Sequence, residues 1–326
     1  MRAPDYFARR DGVSQALSPL SGLYAAVSRL RQRWTKPWQA PVPVICVGNI
    51  TAGGAGKTPV ALALGALLRE RDHDVHFLSR GYGGRLRGPT RVDRTKHTAQ
   101  DVGDEPLLLA EVAPAWIARN RASGAKAAIA AGASVIVMDD GLQNPTLAKS
   151  LSLVVVDGGS GFGNGRVLPA GPLREPADEG LARADAVVLI EPDSSGVAAT
   201  LEPQTLPLVR TRMIPAVAAE RFAGRNVVAF AGIGRPEKFF ATLEEIGCRL
   251  ITKRGFPDHH TFTPDEIMRL VETARAAGAT PVTTTKDFAR LPREAQVMVE
   301  PFPVLLEWRN PQEIEGLVDR ALLESV

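Results

Sequence analysis

Cysteine is scarce in this 326-residue chain: Cys46 and Cys248 are the only two, about 200 positions apart and without a CxxC neighbour. That excludes a disulfide framework and a zinc knuckle, and it fits a reducing compartment. Long apolar runs are missing as well. No stretch approaches the ~18 consecutive apolar residues that a membrane-spanning helix requires, and residues 1–30 lack a signal-peptide core with its cleavage site. A protein retained in the cytoplasm is expected. Neither sign of charge dominates, with 39 Lys and Arg against 36 Asp and Glu. Hydrophobic residues at 44% and charged residues at 23% exclude disorder as the global state. Gly and Pro, 30 and 25 residues, stay below the share that marks low-complexity chains, so loops are many but ordered. The length suits one large domain or two modest ones.

The small net charge hides an uneven distribution. Residues 1–40 hold seven Arg or Lys against two Asp, a local +5, and the remainder of the chain is slightly acidic. Ser18-Pro19 predicts a helix start with Ser as N-cap, and the helix should run to about Arg33. Leu20, Leu23, Tyr24, Val27, Leu30 and Trp34 share one stripe, with Arg29, Arg31 and Arg33 gathered at its end. Such a stripe serves either to pack on the protein's own core or to lie in a membrane interface. Periodicity alone favours packing on the protein's own core. The basic excess comes without a nucleic-acid recognition motif, so no nucleic-acid partner is expected.

Residues 42–47 form a short β-branched run suited to a buried parallel strand, and they lead into GNITAGGAGKTP. Glycines at 53, 54 and 56 let successive N–H groups point at phosphate oxygens, Lys57 can reach the β- and γ-phosphates, and Thr58 can place its hydroxyl on Mg²⁺. The helical segment 60–71 follows, so this is a P-loop between strand and helix. Thr51, Ala52, Gly53, Gly54, Ala55, Gly56, Lys57 and Thr58 are its residues, with Thr51 where the usual pattern has Gly. A second buried run, 134–138, ends in Asp139-Asp140-Gly141, where a carboxylate for the metal belongs.

Strand-like runs recur near 75–78, 151–156, 186–190, 226–231, 249–252 and 282–284, with helical patterns between many of them. This alternation predicts an α/β fold with a mainly parallel sheet and ligands beyond the carboxyl ends of its strands. Three loops qualify: SRGYGG from Ser79, DVGDEP from Asp101 and FGNGRVLPAGPLREP over 162–176. An Asp in the second serves as helix cap or as the base for a hydroxyl proton. Farther on, FPDHH places His259 and His260 beside Asp258, without metal-ligand spacing.

Taken together and in order, VGNITAGGAGKTP, SRGYGG, VGDEP, MDDGLQ, GNGRVLPAGPLREP, FPDHH and TTTKDFARL resemble the tetraacyldisaccharide 4′-kinase family, the lipid A kinases of Gram-negative bacteria. The resemblance spans about three-quarters of the chain, and Thr51 agrees with the family's own P-loop variant. It implies a P-loop kinase that moves the γ-phosphoryl of ATP to the 4′-hydroxyl of a tetraacylated disaccharide 1-phosphate, with Mg²⁺, at the inner face of the inner membrane. The arm then becomes a membrane contact, and no obligate protein partner is implied. Carried over by position, Lys57 neutralises phosphate charge, and Thr58, Asp139, Asp140 and Glu175 form the metal site. Asp104 is the base, with His259 its partner and His260 the alternative. Asn49, Arg80, Gln143 and Arg174 contact substrate or phosphate.

The expected organisation is an arm over 1–40, a P-loop kinase core over 41–221 and a smaller α/β lobe over 222–326 that brings His259 across a cleft. An ATPase switch is disfavoured because Ala52 stands where such proteins carry a second Lys. A GTPase is disfavoured because Phe288 ends the nearest N/T-K-x-D match, at Thr285.

Overall fold

The structure, a computed structural model, describes residues 4–202 and 205–323. The chain forms thirteen strands among these residues. They are Val44–Gly48 (β1), Val75–Ser79 (β2), Thr90–Arg91 (β3), Ala115–Ile117 (β4), Val135–Asp139 (β5), Leu151–Asp157 (β6), Ala186–Glu191 (β7), Leu208–Pro215 (β8), Asn226–Ala231 (β9), Arg249–Gly255 (β10), Thr280–Thr284 (β11), Glu300–Phe302 (β12) and Val304–Trp308 (β13). Nine of them build one sheet in the order β13-β8-β7-β6-β1-β5-β2-β4-β3. Pairing is parallel from β8 through to β4, and β3 runs antiparallel to β4. β1, β2 and β5 are buried along their whole length, which is why they read as unbroken apolar runs rather than alternating ones. Val47 sits beside Asp139 in the register, so the exits of β1 and β5 are neighbours, and both candidate phosphate-site motifs leave the sheet there.

The remaining four strands form a parallel sheet in the order β10-β9-β11-β12. Period-two alternation along β9 divides the core of this unit. Val227, Ala229 and Ala231 face Phe222, Phe239, Phe240 and Phe302, and Val228 and Phe230 face Phe256, Phe262 and Leu270.

Compact units differ from the expected boundaries. The smaller unit is Met213–Leu305, and the chain from Leu306 onward belongs with Pro4–Arg212. β13 supplies an edge strand beside β8, and the helix Pro311–Leu323 buries Ile314, Leu317 and Val318. Arg71 holds that helix through Asp319 at 2.6 Å and Glu315 at 3.4 Å, and Arg309 pairs with Glu191 at 2.7 Å. A lobe over 222–326 was expected because the closing helix looks like a continuation of the C-terminal α/β pattern. Its ion pairs and edge strand belong to the larger unit.

The arm holds the helices Gly12–Ala16 and Ser18–Trp34. Leu17, not Ser18, is the N-cap of the second, because the two helices run almost directly into each other; Ser18 uses its hydroxyl to accept from Arg166 at 2.6 Å. The apolar stripe does not pack on the protein. Leu20, Leu23, Tyr24, Val27 and Leu30 are exposed and Trp34 is 80% exposed, while the small residues Ser14, Ser21 and Ala25 are the buried side.

Helix Lys57–Glu70 packs against β2 through Gly65, where an added Cβ would lie 2.2 Å from Cζ of the fully buried Phe77. Alanine gains ~1 kcal/mol of helix propensity over glycine, but overpacking a closed core costs about 1–3 kcal/mol. Gly65→Ala is therefore expected to lower stability by about 1–2 kcal/mol, seen as a lower melting temperature. An unchanged or higher one would mean that Phe77 has room to move.

Candidate active site

β1 delivers the chain into the P-loop by way of Asn49. This side chain is fully buried, and its Nδ2 donates to the Thr51 carbonyl at 2.8 Å and to the Thr51 hydroxyl at 3.2 Å. Asn49, expected to contact substrate, thus shapes the loop from below. On its outer side the loop is stitched to residues 172–174. Ala52 N–H donates to the Pro172 carbonyl at 2.7 Å, Arg174 N–H donates to Ile50 at 2.7 Å, and Thr51 bridges Leu173. Gly56, at φ 85°, is the N-cap of helix Lys57–Glu70, and a Cβ there would meet Ile190 at 2.3 Å. No side chain caps this helix, so its first N–H groups are left for an anion.

Thr58 Oγ1 donates to Asp139 Oδ2 at 3.0 Å, and Lys57 Nζ lies 3.5 Å from Asp140 Oδ1. The two motifs, 81 positions apart, therefore form one site. Asp139 is fully buried, and its Oδ1 has no hydrogen-bond partner. Burial pushes its carboxyl well above the ordinary range, the negative charge of Glu105 adds to this, and Lys57 opposes it. Asp140 sits in the left-handed region at φ 56°. Burial works against its charge as well, but Lys57 and Arg174, the latter donating at 2.8 Å, outweigh it and hold the carboxyl below its usual value.

Glu175 is placed differently from the metal acid it was expected to be. It is buried with both oxygens engaged, Oε1 accepting from Gln143 at 2.9 Å and Oε2 paired with Arg183. Gln143 also donates to the Asn49 carbonyl at 2.7 Å, and Arg183 reaches Gln32 of the arm at 2.6 Å. Glu175 and Gln143 thus anchor the floor of the site rather than opening onto it. Arg80, at the end of β2, is exposed.

The loops SRGYGG and VGDEP form one assembly, because glycines let their backbones touch. A Cβ on Gly103 would lie 2.4 Å from the Tyr82 carbonyl, and one on Gly84 would lie 2.7 Å from that of Asp101. Asp101 is the third residue of helix Ala99–Val102, whose N-cap is Thr98: its carboxylate accepts the Thr98 N–H at 2.8 Å to close a capping box, and it pairs with Arg85 at 2.6 Å. Asp104 is buried as the first residue of helix Asp104–Val112.

Three residues missed in the sequence belong here: Arg121, Arg183 and Glu105. Arg121 is buried beneath the acidic pair, donating to the Ala118 carbonyl at 2.6 Å and to the Asp140 carbonyl at 3.4 Å, and burial lowers its pKa to about 10. It follows β4, a three-residue strand too short to register as a periodic run. An Arg behind the N-cap residue Asn120, four positions past the apolar Ala115–Ile117, was the available signal.

His259 and His260 belong to the smaller unit, after β10. His260 is committed, stacked on Phe256 with ring centres 4.7 Å apart and bonded to Glu266 at 3.0 Å. His259 has φ 57°, and its ring Nε2 lies 3.4 Å from Lys286 Nζ.

Over residues 13–323 the sequence matches the profile of the tetraacyldisaccharide-1-P 4′-kinase family. The chain belongs to that family. A tetraacyldisaccharide 4′-kinase of Rhodospirillum centenum is 54% identical over 98% of this chain and 96% of its own length, and that of Rhodospirillum rubrum is 52% identical over 99% and 98%. Among solved structures, that of the Aquifex aeolicus family member in complex with ATP superposes with a TM-score of 0.76 at 28% identity, covering 95% of this chain and 99% of that one. This family member thus shares its α/β architecture with a protein that binds ATP.

The donor set fits a hard cation. A buried, unpartnered carboxylate oxygen stands beside a hydroxyl, and Mg²⁺ takes one or two carboxylates with phosphates and water. Among the described residues no group of three or more His, Cys, Asp or Glu could hold a metal. The remaining ligands would come from the nucleotide.

Because the folded-state pKa of Asp139 is raised, the folded protein retains a proton that the unfolded chain releases. This group therefore erodes stability as pH climbs from the ordinary ~4 through its raised value. Asp139→Asn is expected to stabilise the metal-free protein at pH 8 by on the order of 1 kcal/mol or more and to lower turnover at least ~10²-fold. Melting curves at pH 5 and pH 8 check the first point; a variant less stable than wild type at pH 8 would contradict it.

Proposed function

We propose that this chain transfers the γ-phosphoryl group of ATP to the 4′-hydroxyl of tetraacyldisaccharide 1-phosphate, yielding lipid IVA for lipid A biosynthesis. The observation that carries this reading is the full-length match to kinases of that name, on a chain whose P-loop and Asp139-Asp140 pair meet through the Thr58 hydroxyl. Residues 51–58 wrap the phosphates, with the uncapped helix N-terminus and Lys57 offsetting their charge. Thr58 and Asp139 hold Mg²⁺, with Asp140 beside them; the cation supplies charge neutralisation on the phosphates. Arg174 and Arg121 keep Asp140 ionised and in place. Glu175 and Gln143 position the loop that carries Arg174. Arg80 is the exposed cation available to an anionic substrate.

Asp104 accepts the proton of the 4′-hydroxyl, and His259 assists it. The commitment of His260 to Phe256 and Glu266 favours His259 for that part. Phosphoryl transfer is governed mainly by positioning and electrostatics, so Lys57 and the metal acids matter more for rate than the base does.

The acyl chains hold the substrate in a bilayer, and ATP is available on its cytoplasmic side. No helix among the described residues is long and apolar enough to cross a membrane. The arm answers this need differently: its exposed stripe lies in the interface of the inner membrane, with basic residues at the end of the helix near anionic headgroups.

With γ-labelled ATP, Mg²⁺ and detergent-dispersed tetraacyldisaccharide 1-phosphate, label should appear on the lipid and vanish in Lys57→Ala. Label released only as free phosphate, indifferent to the lipid, would refute the assignment. Asp104→Ala should lower kcat by roughly 10²–10⁴-fold with ATP affinity nearly intact; collapse of ATP affinity would make Asp104 a structural residue instead.

The arm has its own test. Leu23→Glu combined with Val27→Glu should weaken binding to anionic vesicles by roughly 100-fold, each buried apolar side chain being worth ~1.5–3 kcal/mol. ATP affinity should stay as it was. Vesicle binding equal to wild type would remove the membrane role of the stripe.

A further inference from the structure

The segment TTTKDFARL, over 283–291, contains a buried ion pair of the smaller unit. Asp287 is fully buried. Its Oδ2 accepts from the Gly232 N–H at 2.9 Å and from the Thr284 hydroxyl at 2.7 Å, and its Oδ1 accepts from Arg290 at 3.0 Å. The same Arg290 Nη1 donates to the Gly232 carbonyl at 3.0 Å, and that carbonyl also accepts the backbone N–H of His259 at 3.1 Å. Both polar groups of Gly232 are thereby fixed, and the His259 backbone with them. A lone buried carboxylate would be costly, and so would a lone buried guanidinium. Paired, and tied through Arg290 Nη1 to the Gly232 carbonyl, they hold this turn in one arrangement.

What this arrangement positions is the contact between Lys286 and His259. Lys286 lies in the single helical turn Thr285–Phe288, which Thr284 caps, and its Nζ reaches His259 Nε2 at 3.4 Å. We propose that Lys286 is a positioning residue: held in place by the Asp287–Arg290 pair, it fixes the His259 imidazole as the neutral tautomer that carries its proton on Nδ1.

An ammonium has three donors and no acceptor, so the nitrogen it meets must offer a lone pair. Which imidazole nitrogen is protonated follows from the bond that the other one makes. Asp258 is the competing group, with Oδ1 at 3.9 Å from the same Nε2, which would favour a proton there. It is farther away, and that oxygen already accepts the His259 backbone N–H at 3.0 Å. Arg254 lies over the Phe256 ring and Glu266 is taken by His260 and Thr263, so neither decides the matter. With Nε2 accepting from Lys286, the ring proton of His259 sits on Nδ1, the form suited to orienting a carboxylate. The consequence for turnover rests on His259 assisting Asp104, as proposed above; the tautomer itself does not.

Nitrogen-15 spectra of histidine-labelled full-length protein in detergent at pH 7.5 read this directly, with the His259 signals identified by their loss in His259→Gln. Wild type should show the proton on Nδ1. Lys286→Met, which keeps the stem and removes the ammonium, should move it to Nε2, and Lys286→Arg should restore Nδ1. In the same variants kcat should fall roughly tenfold in Lys286→Met, the scale of losing a partner that orients a functional His, with the KM for ATP within about twofold and recovery in Lys286→Arg. A wild-type proton on Nε2 overturns the proposal without any variant, and so does a tautomer indifferent to Lys286→Met. A tautomer that switches while kcat holds would confirm the grip of Lys286 and overturn instead the part given to His259 in the reaction.

Discussion

A carboxylate buried at the end of a parallel strand is the constraint around which this active site is arranged. Asp139 is closed off from water with one oxygen on a hydroxyl and the other bare, a state that its surroundings must offset or a ligand must complete. For Asp139 and its neighbour Asp140 together, the offsets come from separate parts of the chain: Lys57 from the P-loop helix, Arg174 from the Gly- and Pro-rich loop, Arg121 from the first residue of the helix after β4. Each is itself half-buried or buried, so each depends on the acids as much as the acids depend on it. On the function proposed above, a divalent cation carried in on phosphate would supply the missing charge and ligands together.

The loop over 162–176 ties this cluster to the arm. Asn164 donates through one Nδ2 to the carbonyls of Tyr6 and Ala170 at 2.8 and 2.9 Å and to the Ser14 hydroxyl at 3.1 Å, and its own N–H meets the Phe7 carbonyl at 2.8 Å. Ser21 donates to Val167 at 2.7 Å, and eight residues along from Asn164 the Pro172 carbonyl holds the P-loop at Ala52. The arm is therefore part of the scaffold behind the phosphate site and not an appended tail.

Much of this was legible in the sequence because the relevant signals were local. Buried strands of five or more residues announced themselves as β-branched runs, and the P-loop and the Asp139-Asp140 pair carried their chemistry in consecutive residues. Two kinds of feature escaped. Short strands such as β4 and β12 are held by their neighbours in the sheet, so three residues carry no periodicity of their own, and Arg121 was lost with β4. Long-range ion pairs were invisible: nothing near Glu175 indicates Arg183 and Gln143 as its partners, and nothing near residues 311–323 indicates Arg71. The arm shows the opposite limit. Its stripe was plain in the spacing, but spacing has no sign; only the placement of Ser21 and Ala25 on the inner side revealed which way the stripe faces.

That inward face bears on how the arm can be altered without loss to the core. Deleting the first forty residues would take away acceptors of Asn164 and Arg166 together with the hydroxyls of Ser14 and Ser21, leaving donors of the 162–176 loop such as the Asn164 and Ala170 N–H groups without their partners. The loop that backs Ala52 would lose its footing with them. Polar side chains at positions such as Leu20, Leu30 and Trp34, which touch solvent, would change the outer stripe and leave the serine side of the helix intact.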